Sequence, residues 1–293
     1  MTLANPSHRA APNGAPPGET ARYALFVLVA GLLALFFLMP VVWSIANSFK
    51  PAAEALADPA SLVSSAFSLE NYRSLEGVGA GWTSHAANSV LVALGTVALT
   101  VLVSVPAGYG FSKFRFPGQT LLFVLVMATM MIPFQSILTP LFLILKWLRL
   151  QNSLTGLVLI YVTFQLPFSI FMMRNAFDAV PRALIEAARI DGASQWTILR
   201  RIMLPIALPG VATVAMFAFL NSWNELLAAL IFLSDQNKFT LPIMLVNVSS
   251  GIYGIIDWGA LQAGITVTMV PCIVLFLLLQ RYYVRGLTAG AVK

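Results

Sequence analysis

The chain has 293 residues, of which 59% are hydrophobic and only 10% charged. Its mean hydropathy of +0.85 lies far above the usage of soluble domains, so lipid is the solvent for most of the chain and a soluble globular architecture is excluded. Two histidines and one cysteine rule out a histidine metal cluster, a conventional catalytic triad and a disulfide scaffold, and the net charge of +6 sits at the flanks of apolar runs, with no aromatic-interleaved basic patch for nucleic acid.

Residues 1–22, rich in Ala, Pro and Gly, read as a disordered cytoplasmic tail. The apolar run after Arg22 is long for a signal peptide and lacks a small-residue cleavage site, so it reads as an uncleaved first span. Runs long enough to cross a bilayer are Tyr23–Ile45, Ser89–Phe111, Leu121–Leu143, Leu154–Met173, Gly210–Ala229 and Ala260–Gln280, the last holding the lone Cys272. Lipid offers no partners for backbone polar groups and strand-like alternation is absent, so these six runs are expected to be helices. The Leu241–Ile256 run is shorter and interrupted by Pro242 and Ser249-Ser250-Gly251. It reads as an external loop, with a re-entrant segment as the alternative.

Placing the N-terminus inside puts 12 of the 17 Lys and Arg in the cytoplasm: Arg9, Arg22, Lys113, Arg115, Arg174, Arg182, Arg189, Arg200, Arg201, Arg281, Arg285 and Lys293. Only Lys50, Arg73, Lys146, Arg149 and Lys238 fall outside, which is the asymmetry of the positive-inside rule. The expected fold is therefore an all-α membrane protein of six transmembrane helices with both termini cytoplasmic. Its divisions are the tail 1–22, a first helix and external loop 23–85, a core 86–281 and a C-terminal cytoplasmic tail 282–293.

Between the fourth and fifth spans lies a charged insert, 174–209, in an otherwise weakly charged chain. Pro181 suits a helix start, Arg182–Arg189 are helix formers and Gly192 suits a C-terminal cap. Ser194 can cap a second helix in which Trp196, Leu199 and Ile202 or Met203 recur at helical spacing, ended by Pro205 and Pro209. Ala187 and Ala188 leave room for a closely packed partner, and Glu186 and Asp191 offer charge. From spacing alone, a hairpin packed on its own span ends is the favoured reading.

Polar residues inside spans mark a path, because burying them away from a cavity is costly. Asn221, Trp223, Asn224 and Glu225 cluster in the fifth span and Gln135 lies beside Pro133 in the third; amides bond hydroxyl groups and an indole stacks on a ring. Interhelical hydrogen bonding is the alternative for the amides. Gly251, Tyr253, Gly254 and Trp258 join flexible backbone to aromatic area, suited either to touching another protein or to anchoring in the membrane interface. No Gly-Lys dipeptide occurs, so a phosphate-cradling loop is absent and no cofactor is expected in this chain.

The run Glu186-Ala187-Ala188-Arg189-Ile190-Asp191-Gly192-Ala193, followed by Ile202-Met203-Leu204-Pro205, resembles the cytoplasmic loop of bacterial binding-protein-dependent ABC importer permeases. Leu69-Glu70-Asn71-Tyr72, Ala87-Asn88-Ser89, Phe114-Arg115-Phe116-Pro117-Gly118, Trp223-Asn224-Glu225 and the terminal Arg285 to Lys293 look like the carbohydrate-type members, similar to the smaller maltose-transporter membrane subunit. Leu199 departs from the Phe often found there and keeps an apolar knob. The resemblance implies the type I ABC importer permease fold in a bacterial inner membrane. It implies a second, different permease subunit, two ATPase subunits that bind ATP and Mg, an extracytoplasmic solute-binding protein and a carbohydrate substrate. It assigns Glu186, Ala187, Ala188, Asp191, Gly192, Ala193 and Pro205 to ATPase coupling, and the Val248–Trp258 segment to the binding protein. An amino-acid-type permease and a stand-alone secondary transporter are the alternatives; inverted repeats or paired mid-membrane charges would mark the latter, and neither is evident.

Overall fold

The computed structural model describes residues 17–61, 63–251 and 256–291, and their regular structure is helical throughout. Helix α1, Pro17–Ser48, starts ahead of the expected Tyr23 and leaves the side chains of Tyr23 through Met39 exposed. Its C-terminal end is buried instead, and polar. Asn71 Nδ2 donates to the carbonyls of Ser48 at 3.0 Å and Lys50 at 2.8 Å. The buried Lys50 ammonium donates to the Ser61 carbonyl, so the 49–81 connection is a hydrogen-bonded cap carrying α2, Ala52–Ala57, and α3, Glu70–Glu76.

Helix α4, Trp82–Lys113, is about 48 Å long at 1.5 Å per residue, enough to exceed a bilayer core. Its buried stripe of Ser89, Ala93, Thr96, Thr100, Ser104 and Gly108 repeats at helical spacing and faces α7 and α11. Small residues let the backbones close up. A Cβ at Gly108 would lie 2.5 Å from Met173 Cβ.

The third expected span is not one helix. Helix α5, Gln119–Ala128, passes through a 3₁₀ turn to a break at Ile132-Pro133, and a second turn leads into α6, Leu138–Trp147. The two arms are bent by 99°. Proline has no N–H and pushes the residue before it out of the helical region; Ile132 accordingly sits at φ −80°, ψ 118°.

Helix α7, Leu154–Asp178, begins where Ser153 Oγ accepts from the Gly156 amide at 3.0 Å. The insert follows as α8, Arg182–Ile190, then α9, Gln195–Ile198, a π turn over Leu199–Met203 and α10, Leu204–Ile206. A 77° bend leads into α11, Leu208–Asn224. The fifth expected span, Gly210–Ala229, is therefore interrupted: Glu225 is extended at ψ 126° and the chain restarts as α12, Leu227–Phe232.

Leu241–Ile256 was expected as a loop, and its first part is instead helix α13, Leu241–Ser250, with Leu241, Ile243, Met244 and Val248 buried. Pro242 lies in the first turn, where its missing N–H is harmless, and so opens the helix that it was expected to break. Helix α14, Trp258–Ala291, closes the chain against α1, α11 and α13, and runs through most of the segment expected as a tail. Among the described residues, four helices are long and apolar enough to cross a membrane, or up to six crossings if each bent pair is one span.

Candidate functional site

The insert sits at the C-terminal end of α4, and α3 and α13 sit at the other. It is not free. Ile185, Ala188, Ile198, Leu199 and Met203 pack with Val105 and Tyr109 of α4, Met173 and Phe177 of α7 and Val214 of α11. Tyr109 Oη donates to Gln195 Oε1 at 3.0 Å, Ser112 Oγ to Asp178 Oδ1 at 2.6 Å and Lys113 Nζ to the Val180 carbonyl at 3.3 Å. The Arg174 guanidinium lies 4.1 Å above the Phe123 ring. Three span ends and the insert thus form one body.

The bend is built from backbone bonds. Ala193 N–H donates to Ala188 O at 2.9 Å and Gly192 N–H to Arg189 O at 3.0 Å, a Schellman cap with Gly192 at φ +74°. Pro181 precedes the helix at its N-cap, one position earlier than expected. Ser194 Oγ accepts from the Thr197 amide at 3.2 Å and so caps α9. Of the residues assigned to coupling, Glu186, Ala187, Asp191, Gly192 and Pro205 are exposed and Ala193 is half-buried. Ala188 is buried against the chain's own core, so it offers no room to a partner. Trp196 departs from its expected place too: it projects outward, 67% exposed, and Ile190 is 87% exposed. A charged cleft of about 380 Å³ lies alongside, between Lys113 and Arg115 of the α4 end and Arg182, Glu186 and Arg189 of α8.

A second feature lies mid-chain, where α4, α7 and α11 border an open cavity of about 240 Å³. Asn221 and Glu225 line it, as the fifth-span cluster implied. Trp223 does not: it is 1% exposed, stacks on Phe219 and donates from Nε1 to the Thr268 carbonyl at 3.0 Å, on the α14 side. Asn224 faces a different, largely apolar groove with Val41 and Cys272. Gln135 is exposed outside the cavity, while its neighbour Phe134 forms a wall. Four polar lining residues escaped the sequence reading: Thr96, Tyr161, Gln165 and Ser222. Gln165 was detectable as an amide inside the fourth span.

Glu225 is committed within the fold. Its Oε2 accepts from Tyr161 Oη at 2.7 Å, and the carboxylate accepts from the amides of Ala228 at 3.0 Å and Ala229 at 3.3 Å. It thereby caps the restarted helix α12 with a negative charge at its N-terminus.

At the far end, a cavity of about 520 Å³ opens between α2, α3, α13 and the start of α14, lined by Leu56, Ser74, Asn247, Gly251 and Asp257 among others. Gly251 ends α13 at φ +71° and Trp258 opens α14, 38% exposed; Tyr253 and Gly254 lie outside the described residues. Beside the cavity, hydrogen bonds from the Ser65 hydroxyl and amide hold the Glu54 carboxyl below the usual carboxylate range.

Residues 100–289 match the family model described as binding-protein-dependent transport system inner membrane component. The diacetylchitobiose uptake system permease protein NgcG of Streptomyces coelicolor is 34% identical over 89% of this chain and 86% of its own length. The trehalose/maltose transport system permease protein MalG of Thermococcus litoralis is 33% identical over 94% and 98%. Among solved structures, a bacterial ABC transporter involved in import of the acidic polysaccharide alginate superposes with a TM-score of 0.78 over 92% of this chain and 99% of that one, at 21% identity.

Proposed function

The chain belongs to the family of binding-protein-dependent transport system inner membrane components, and we propose that it is a permease subunit of an ATP-driven carbohydrate importer, coupled to a separate ATPase through the insert α8–α10. One observation carries the coupling. The insert buries one face in the ends of α4, α7 and α11 and leaves Ile190 and Trp196 uncovered beside Glu186 and Asp191. An uncovered tryptophan in a charged, capped bend is the composition of an interface anchor.

ATP binding in the ATPase pair shifts the membrane helices only if the two arrangements of the permease bind that pair differently. A body fixed to three span ends meets this need, because displacement at Gly192 moves α11 through Ala207, which is buried in the same cluster. Mg and ATP then reside in the partner, and a second permease completes the path. The end carrying α3 and α13 faces outward, where Gly251 to Trp258 meets the solute-binding protein, and both termini lie in the cytoplasm of a bacterial cell. Glu225, already committed to the α12 cap, positions helices there.

Purifying the tagged chain from its native membrane tests the reading. An ATPase and a second permease are expected to copurify, and ATP hydrolysis by the complex is expected to rise with a saccharide-loaded binding protein. Recovery of the chain alone, transporting solute without ATP, would establish the stand-alone transporter instead.

A further inference from the structure

The cavity between α4, α7 and α11 has the wrong chemistry for an anion and the right one for an uncharged ring. Asn221 Nδ2 donates to Gln165 Oε1 at 2.9 Å, tying α11 to α7, and Gln165 Nε2 donates to Ser169 Oγ at 3.3 Å. Each amide nitrogen carries a second N–H, and Asn221 is exposed at the cavity while Gln165 is 6% exposed. Thr96 Oγ1, on a residue 1% exposed, has no hydrogen-bond partner among the described residues. Phe134 and Phe164 also line it, with ring centroids 4.3 Å apart and planes at 85°, apolar area for C–H groups.

The lining holds one ionisable carboxylate and no Lys, Arg or His. Tyr161 Oη and the Ala228 and Ala229 amides already engage that carboxylate. A uronate or a sugar phosphate would find no counter-charge on this subunit's lining and would bear its desolvation cost there. The volume of about 240 Å³ falls below the roughly 300–1,000 Å³ of drug-sized sites, which leaves room for a single ring.

We propose that this cavity is a subsite for one uncharged sugar ring, so that this subunit touches the solute itself through Asn221, Gln165 and Thr96. The proposal rests on the importer reading and narrows its substrate to neutral saccharides. Because Asn221 sits on α11, which continues from the insert, movement of the insert would part the Asn221–Gln165 bond and release the ring.

The test uses the complete importer with its binding protein in proteoliposomes, offered labelled trehalose, maltose, diacetylchitobiose and the acidic digalacturonate. At least one neutral disaccharide is expected to be carried and digalacturonate is not. For that sugar, Asn221→Leu and Gln165→Leu should each lower maximal uptake about tenfold, the ratio for one lost hydrogen bond of ~1.4 kcal/mol. Asn221→Gln should recover part of it. In a Cys272→Ser background, N221C should react with a small thiol reagent several-fold more slowly during sugar turnover, a protection that a purely structural residue would not show. Uptake unchanged in Asn221→Leu, or no protection of N221C, overturns the subsite and leaves the importer standing. Equal carriage of digalacturonate overturns the neutral class alone. Transport of none of the four, with an amino acid carried instead, overturns the carbohydrate reading itself.

Discussion

Glu225 shows how one residue's chemistry is decided by its neighbours. As an acid inside a span it invites a transport role, yet its oxygens are held by Tyr161 and two backbone amides. Glu225→Ala would leave the buried Tyr161 hydroxyl and the first amides of α12 without acceptors, costing about 2–4 kcal/mol. A lower melting temperature in detergent is expected, together with lost transport; full thermal stability with lost transport would return Glu225 to the solute. Gly192 is the converse case, since a Cβ there meets nothing within 4 Å and the strain comes only from φ +74°. Gly192→Val should cost about 1–2 kcal/mol locally, leave the protein in the membrane and weaken copurification of the ATPase, with Gly192→Asn milder. Trp196→Ala removes no internal contact of note and should weaken the same association without lowering the melting temperature. On the other face, the lowered Glu54 pKa means that its hydrogen bonds favour the folded cap above the ordinary carboxylate pKa. That contribution fades as pH falls through the lowered value, so Glu54→Gln should flatten the acid limb of any cap-dependent signal, such as protease cleavage at the half-buried Tyr72.

At the scale of elements, apolar run length identified the spans whose backbone is continuous and misjudged those that break. Leu154–Met173 lies inside α7, and Ser89–Phe111 inside α4. The third run reads as apolar across Pro133, but hydropathy carries no angle, and the 99° bend follows from what proline does to Ile132. Pro242 misled in the opposite direction, because a proline's meaning depends on its place in the helix and α13 starts there. The cavity was half legible for a similar reason. Asn221 on α11 and Glu225 at its extended end both reach the cavity, whereas Trp223 and Asn224 turn away from it. Gln165 and Thr96 come from other helices, and no spacing within one segment reveals them. Contact between α4 and α7 is the tightest test of this packing. Gly108→Ala would set a methyl 2.5 Å from Met173 Cβ and 2.8 Å from the Arg174 amide nitrogen, forcing the helices apart at a cost of about 1–3 kcal/mol. Loss of coupling between saccharide-stimulated hydrolysis and uptake is expected, since the displaced pair carries the insert; unchanged coupling would show that the pair tolerates the separation.

For the whole molecule, charge supplies the expectation for which end faces the cytoplasm. The insert end gathers Lys113, Arg115, Arg174, Arg182, Arg189, Arg200 and Arg201 on or beside one body, while the α3 and α13 end holds the Asp257 and Glu54 carboxylates on its cavity and cap. Helix α13 has 10 residues and so rises only about 15 Å, half of a bilayer core. It therefore cannot serve as a seventh crossing, and Ser249 stays on the side of Ala66. In a Cys272→Ser background, single cysteines at the exposed Ala66 and Ser249 should react with a membrane-impermeant thiol reagent from outside intact cells. One at the exposed Ala183 should react only after the membrane is opened, and so should one at Ala291 under the six-span expectation. If Ser249 and Ala66 labelled from opposite sides, the α13 segment would span. If Ala183 labelled from outside, the insert would face away from any cytoplasmic ATPase, and coupling through Gly192 would be untenable whatever the sequence of the loop.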